Sequence, residues 1–279
     1  MKKILLLLMV LMFVVVLCSC APSYSENLEY TLLDNNTYEV SGIGTCTDTD
    51  IVIPLTHNGL LVTSIGDNAF ENCDSITSVT IPVSVTSIGN EAFDSCLSLT
   101  SIQIPDSLQH LGAHAFYGTK LTTNKYDNAY YIGNDYNPYL ILLLAESSDI
   151  VSCKIHKNTK FIYTYAFFNC DSLTSIVIPD SVIDIGWSAF QSCQSLSSIE
   201  ISDSVTNIGR WAFAHCTSLT SIVIPDFVES IGQNAFYNFP SLTIYCEATS
   251  KPSGWDSKWN VLNGPTDATV PVVWDYTGN

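Results

Sequence analysis

Positive charge is what this sequence has least of. Ten Lys and Arg stand against 27 Asp and Glu in 279 residues, for a net charge of −17, and charged residues of all kinds make up 13%. That fraction is about half of the ~25% usual in soluble domains. The few cations form no cluster, which excludes a surface that tracks nucleic-acid phosphates. Any partner is expected to offer a neutral or basic surface. No C-x-x-C pair occurs, so a zinc ribbon or a thioredoxin-type site is excluded. There is no G-x-S-x-G, no H-E-x-x-H and no P-loop, and the histidines at 57, 110, 114, 156 and 215 are scattered. His110 and His114 are four residues apart but straddle the Leu111-Gly112 turn. Asp48 and Asp50 lack the glycine and glutamate that complete a calcium loop, and Gly42-Ile43-Gly44 lacks the third glycine of a dinucleotide fingerprint. Cys153 lies close to His156, yet it falls at a buried strand phase. The sequence therefore offers no catalytic set, cofactor site or metal site, and the chain is expected not to be an enzyme.

Long apolar runs are equally scarce. The longest, Ile4 to Leu17, follows Lys2 and Lys3 and has fourteen residues, which suits the core of an export signal better than a bilayer span. It runs into Leu17-Cys18-Ser19-Cys20-Ala21, which resembles a bacterial lipobox. That resemblance implies a signal peptide over 1–19, cleavage after Ser19, lipidation of Cys20 and a short polar tether over 20–27. Two or more acyl chains would then hold the protein stably on the membrane surface.

What the sequence does contain is a period. Ile65 to Ser87 reads IGDNAFENCDSITSVTIPVSVTS, and Ile-Gly or a close variant recurs at 65, 88, 111, 162, 185, 208 and 231. Every step is 23 residues except the middle one of 51. Within each unit, L-x-x-I-x-I predicts a short parallel strand, and the proline that commonly follows ends it. A second limb turns at the glycine, where a positive φ or a tight backbone contact is expected. Ala-Phe follows at 69–70, 92–93, 115–116, 166–167, 189–190, 212–213 and 235–236, predicted as a short helical or 3₁₀ turn whose phenylalanines nest between coils. A fixed period in the twenties with this core predicts a leucine-rich repeat solenoid, β-rich, whose stability comes from stacking. Cys73, Cys96, Cys170, Cys193 and Cys216 share one phase. Side chains in such a ladder point the same way, so free buried thiols are expected in preference to disulfides.

The solenoid is expected over 51–245, with a β-hairpin cap over 28–50 and a tryptophan-rich cap over 246–279. The extra residues at 122–149 predict a β-hairpin projecting from the solenoid. This insertion holds Tyr126, Tyr130, Tyr131, Tyr136 and Tyr139, which form either a brace packed on the repeats or a recognition surface. The remaining places for function are outward positions of the repeat such as Gln103, Glu200, Trp187, Arg210 and Trp211.

The unit I-G-x-x-A-F-x-x-C-x-S-L-x-S-I-x-I-P-x-S-V-x-x is similar to the BspA-type leucine-rich repeat of bacterial surface proteins. The resemblance implies an exported, anchored surface protein that binds a protein partner, in host matrix or on another surface, for adhesion. It carries over no binding residue. A spacer without a ligand and a glycan-binding surface module are the alternatives, and the oligomeric state stays open.

Overall fold

A computed structural model describes residues 24–262 and 268–278. The export signal, the lipobox and Cys20 lie outside the described residues. The chain winds into a β-solenoid in which each coil places one short strand on each of two sides. On one side Asp50–Val52, Ser78–Thr80 and Ser101–Gln103 pair in parallel, as do Ser175–Val177 with Ser198–Glu200 and Ser221–Ile224 with Thr243–Cys246. On the other side Leu60–Ile65, Ser87–Ile88 and His110–Leu111 form one parallel run, and Phe161–Ile162, Asp184–Ile185, Asn207–Ile208 and Ser230–Ile231 form a second. The β-branched residue of each pair faces inward, and Ile88, Ile185 and Ile208 are fully buried.

The expected helical turns at Ala-Phe are absent: no helix is found among the described residues. The reason is an αL residue before the alanine and another before the cysteine phase of each coil. Asn68 and Asn72 have φ of 58°, and Tyr165, Trp211 and His215 adopt values of 63°, 59° and 64°. Left-handed residues at this spacing break a right-handed helix. In exchange, backbone donors alternate between two directions. Ala69, Glu71 and Cys73 N–H groups donate within the coil, to Gly66, Asn68 and Phe70. Asn68, Phe70 and Asn72 N–H groups donate to Asn90, Ala92 and Asp94 of the next coil, at 2.9, 2.8 and 2.8 Å. Each turn is thereby both closed on itself and laced to its neighbour.

The repeat glycines serve the tight contact and not a positive φ. A Cβ on Gly209 would lie 2.6 Å from the Gly186 carbonyl carbon, so the coils approach at their backbones. Above this contact the phenylalanines stack almost parallel, with Phe70–Phe93 centroids 5.1 Å apart and Phe167–Phe190 centroids 5.0 Å apart. The thiol of Cys96 donates to the Phe70 carbonyl at 3.0 Å, and Cys193 and Cys216 repeat the bond to Phe167 and Phe190. All eight described cysteines are free, as the phase argument predicts. Burial pushes the thiols of Cys96, Cys153 and Cys170 up to about 12, so they are not nucleophiles.

Both ends are covered. Glu29–Leu32 and Tyr38–Gly42 form the antiparallel hairpin, whose second strand pairs with Leu60–Ile65. At the other end Trp259 packs edge-on against Phe236, 5.7 Å away, and Trp255 donates its indole N–H to the Val228 carbonyl at 2.9 Å. The last coil's donors at Asn234 and Phe236 find Lys258 and Trp259 carbonyls, so the irregular cap continues the lacing.

The insertion does not project. Asn124–Tyr126, Ala129–Ile132 and Ile141–Ala145 form an antiparallel meander, and its last strand pairs in parallel with Phe161–Ile162. These strands are a partition. Ile132, Ile141 and Phe161 face the core of the first stack, while Tyr131, Leu142 and Ile162 face the core of the second. A strand buried on both sides reads as a continuous apolar run, which accounts for Leu140, Ile141 and Leu142, while Leu144 farther along is exposed. At this partition the Ala-Phe lacing is interrupted. Tyr163 occupies the glycine phase, and the Phe116 N–H donates to its hydroxyl at 2.7 Å where a backbone carbonyl accepts in other coils. Tyr163→Phe would orphan that buried donor. A loss of about 1–3 kcal/mol is expected, measured by chemical denaturation; a change under about 0.5 kcal/mol would show that the bond is dispensable.

Candidate binding site

The insertion tyrosines separate into two groups. Tyr131 is fully buried, and Tyr126 and Tyr139 are partly buried against the second core. They pack edge to face with Tyr131, and His156 stacks on Tyr139 with centroids 4.1 Å apart. Tyr131 accepts a hydrogen bond from the His156 N–H at 3.4 Å, and burial raises its hydroxyl well above the usual tyrosine range. These three hold the partition to the repeats. Tyr130 is half-buried, and only Tyr136, 95% exposed, is open. As a group the five tyrosines present no common surface, because Tyr131 is buried and Tyr126 and Tyr139 are turned onto the second core.

Two other features gather where the stacks meet. The first is an aromatic ridge on the turn side. Tyr117, Tyr165 and Phe168 are exposed and joined through His114, with Tyr117 5.7 Å and Tyr165 5.5 Å from the His114 ring and Phe168 5.3 Å from Tyr165. Tyr165 projects because its backbone is left-handed. The Nε2 of His114 is shielded from solvent and has no hydrogen-bond partner among the described residues. In the preceding repeats the corresponding positions hold Asn68, Glu71, Glu91 and Asp94. The ridge thus begins at the coils flanking the interruption, and in the later coils the same two phases bring Trp211 and Tyr237 together.

The second feature is a cleft of about 360 Å³ between the last coil of the first stack and the outward strand face of the second. Its floor includes Asp184, Asn207 and Ser230 on successive strands, and Trp187 and Arg210 rise from the residues after the glycines. His110, from the first stack, lines it too. Asp184 is the anomaly. It is buried, it accepts a 2.9 Å hydrogen bond from the Asn207 side-chain amide, and no ion pair to it occurs among the described residues. Desolvation, only partly offset by that bond, raises its carboxyl to about 7. The polar residue before Ile-Gly is elsewhere Ser64, Ser87 or Ser230. The departure to His110, Asp184 and Asn207 is visible in the sequence, but only the structure shows that Asp184 and Asn207 sit side by side on paired strands and that His110 lines the same cleft from the other stack. The sequence did single out Trp187 and Arg210. Gln103 lies elsewhere, hydrogen-bonded to Asp135, and Trp211 packs on Tyr237.

No group of three or more His, Cys, Asp or Glu side chains poised to hold a metal occurs among the described residues. Asp50 is instead tied by the Thr77 and Ser78 hydroxyls, at 2.8 and 2.7 Å, which lower its carboxyl.

The buried carboxyl has a pH signature. In the unfolded chain it ionises near pH ~4, while in the fold it holds its proton to about pH 7. Stability therefore falls as pH rises between those values and is level above them. Asp184→Asn keeps the shape and removes the charge. It is expected to be more stable than the parent by about 2–4 kcal/mol at pH 8, with the gain vanishing near pH 4. Denaturant titrations across that range would refute the account if the gain were independent of pH.

The sequence matches the BspA type leucine-rich repeat region in six copies, over residues 51–136 and 144–251. Among curated proteins nothing matches. Solved structures similar to this chain include a leucine-rich repeat protein of T. pallidum, at 24% identity over 77% of this chain and 87% of that one, with a TM-score of 0.41. Another is a leucine-rich cell surface protein of Faecalibacterium prausnitzii, at 21% identity over 94% and 97% of the two chains, with a TM-score of 0.45. A third is the pneumococcal vaccine antigen PcpA, at 20% identity over 81% and 68%, with a TM-score of 0.47. Proteins of the matched type are typically found at the cell surface, and no helix among the described residues is long and apolar enough to cross a membrane. The fold, the period and the matched region agree: this chain belongs to the BspA-type leucine-rich repeat family.

Proposed function

We propose that this protein is a lipid-anchored surface scaffold that holds a protein partner, in host matrix or on another surface, and performs no catalysis. The observation that carries the reading is the aromatic ridge of Tyr117, Tyr165 and Phe168, three large rings left exposed beside one another. Rings that keep much of their surface exposed stabilise a contact when a partner covers them. The net charge of −17 favours a partner with a neutral or basic face. Tyr130 and Tyr136 are the insertion tyrosines with surface left for an additional contact. Anchoring through Cys20 would set the solenoid at the membrane surface with its amino-terminal cap nearest the lipid.

Capture of host matrix and surface proteins by the full-length chain, with and without Tyr117→Ala/Phe168→Ala, tests the ridge. Saturable capture that falls at least tenfold in the double variant is expected. A chain that captures nothing would leave a spacer role as the better reading. Anchoring is checked separately: Cys20→Ala is expected to abolish lipid labelling and release the protein from the membrane fraction, and an unchanged, still processed membrane pool would refute it.

A further inference from the structure

We infer that the cleft between the two stacks is a binding site for a neutral saccharide. This goes beyond the partner-holding role and does not rest on it, since the ridge and the cleft use different residues. The cleft has the volume of a small-ligand site, about 360 Å³, and it lies at a junction between two packed bodies. Its floor places Asp184, Asn207 and Ser230 on three adjacent parallel strands, spaced by ~4.8 Å. These side chains offer an acceptor, a combined donor and acceptor, and a hydroxyl, in a row about one sugar ring per step. Trp187 stands at the rim with 41% of its surface exposed. Its ring meets His114 in a T-shaped contact at 6.2 Å, and the exposed remainder of the indole offers an apolar surface on which the C–H side of a pyranose can stack.

Charge selects among ligands. An ammonium would meet the Arg210 guanidinium, which lines the same cleft, and an anion would meet the buried Asp184 carboxyl. A neutral polyhydroxylated ring satisfies both, donating hydroxyl hydrogens to Asp184 and accepting from Arg210 and Asn207. A lipid chain would leave this polar floor unpaired. The retained carboxyl supports the assignment. It destabilises the free protein at neutral pH, as a group held for binding often does, and hydrogen bonds from a ligand would replace the hydration it has lost.

The test uses the full-length chain on an array of neutral mono-, di- and trisaccharides, followed by titration of the strongest binder. Saturable binding is expected, weakened at least tenfold by Trp187→Ala and at least fivefold by Asp184→Asn, with Trp187→Phe retaining most of it. Both losses count only in variants that melt cooperatively, which Asp184→Asn is expected to do. Tyr117→Ala/Phe168→Ala should leave saccharide binding intact, so failure of the ridge and failure of the cleft are separable. The inference is overturned if no neutral saccharide binds above background, if amino or acidic sugars bind in preference, or if both cleft variants bind like the parent.

Discussion

Everything in this fold depends on one coil reaching the next with its backbone. A 23-residue coil made of two-residue and three-residue strands cannot satisfy its own amides. It is completed by donors at the turn side that find the carbonyls of the following coil, as Phe70 finds Ala92. That lacing demands close approach, close approach demands glycine where Gly209 meets Gly186, and the spacing it sets is the one at which phenylalanine rings stack and thiols reach a carbonyl. The conserved-looking letters of the unit are therefore several consequences of one distance. The uncommon left-handed residues belong to the same constraint, since they free alternate N–H groups to point out of the coil.

Where the distance cannot be kept, the structure changes materials. The lacing of the first stack ends at Phe116, which meets Tyr163 of the next coil with a side-chain hydroxyl standing in for a carbonyl. The inserted strands fill the gap as a wall with two apolar faces. An interruption of this kind leaves edges that do not match, and both features that look outward, ridge and cleft, lie along those edges. The uninterrupted coils also expose apolar side chains, such as Val83 and Phe227, but singly and without the ring contacts of the ridge.

The fold was legible because its signal is repetition. Ile, Gly, Ala-Phe and Cys at constant offsets specify core, close contact and turn without further information. The turn conformation was less legible, since nothing in Ala-Phe distinguishes a helical turn from a laced one except the αL residues around it, and these include Tyr165, Ser188 and Trp211 as well as asparagine. The sequence predicts a projecting hairpin, whereas the insertion lies within the sheet and braces the repeats. Tyr130-Tyr131-Ile132 and LILLLA alternate poorly, and that lack of alternation was the mark of strands buried on both faces. Asp184 was overlooked because an aspartate before Ile-Gly differs little, as text, from the serines in that phase. Its burial arises in the folded cleft, whose lining includes His110 of the other stack, far away in the sequence.

The partition also bears on how such a chain can change length. Each regular coil touches only the coils beside it, so a coil can be duplicated or lost within either stack while the remaining contacts stay alike. The wall between the stacks has no such freedom, because Ile141 and Leu142 answer to two different cores at once. The length of each stack is thus adjustable one coil at a time, while the surfaces at the junction are inherited whole.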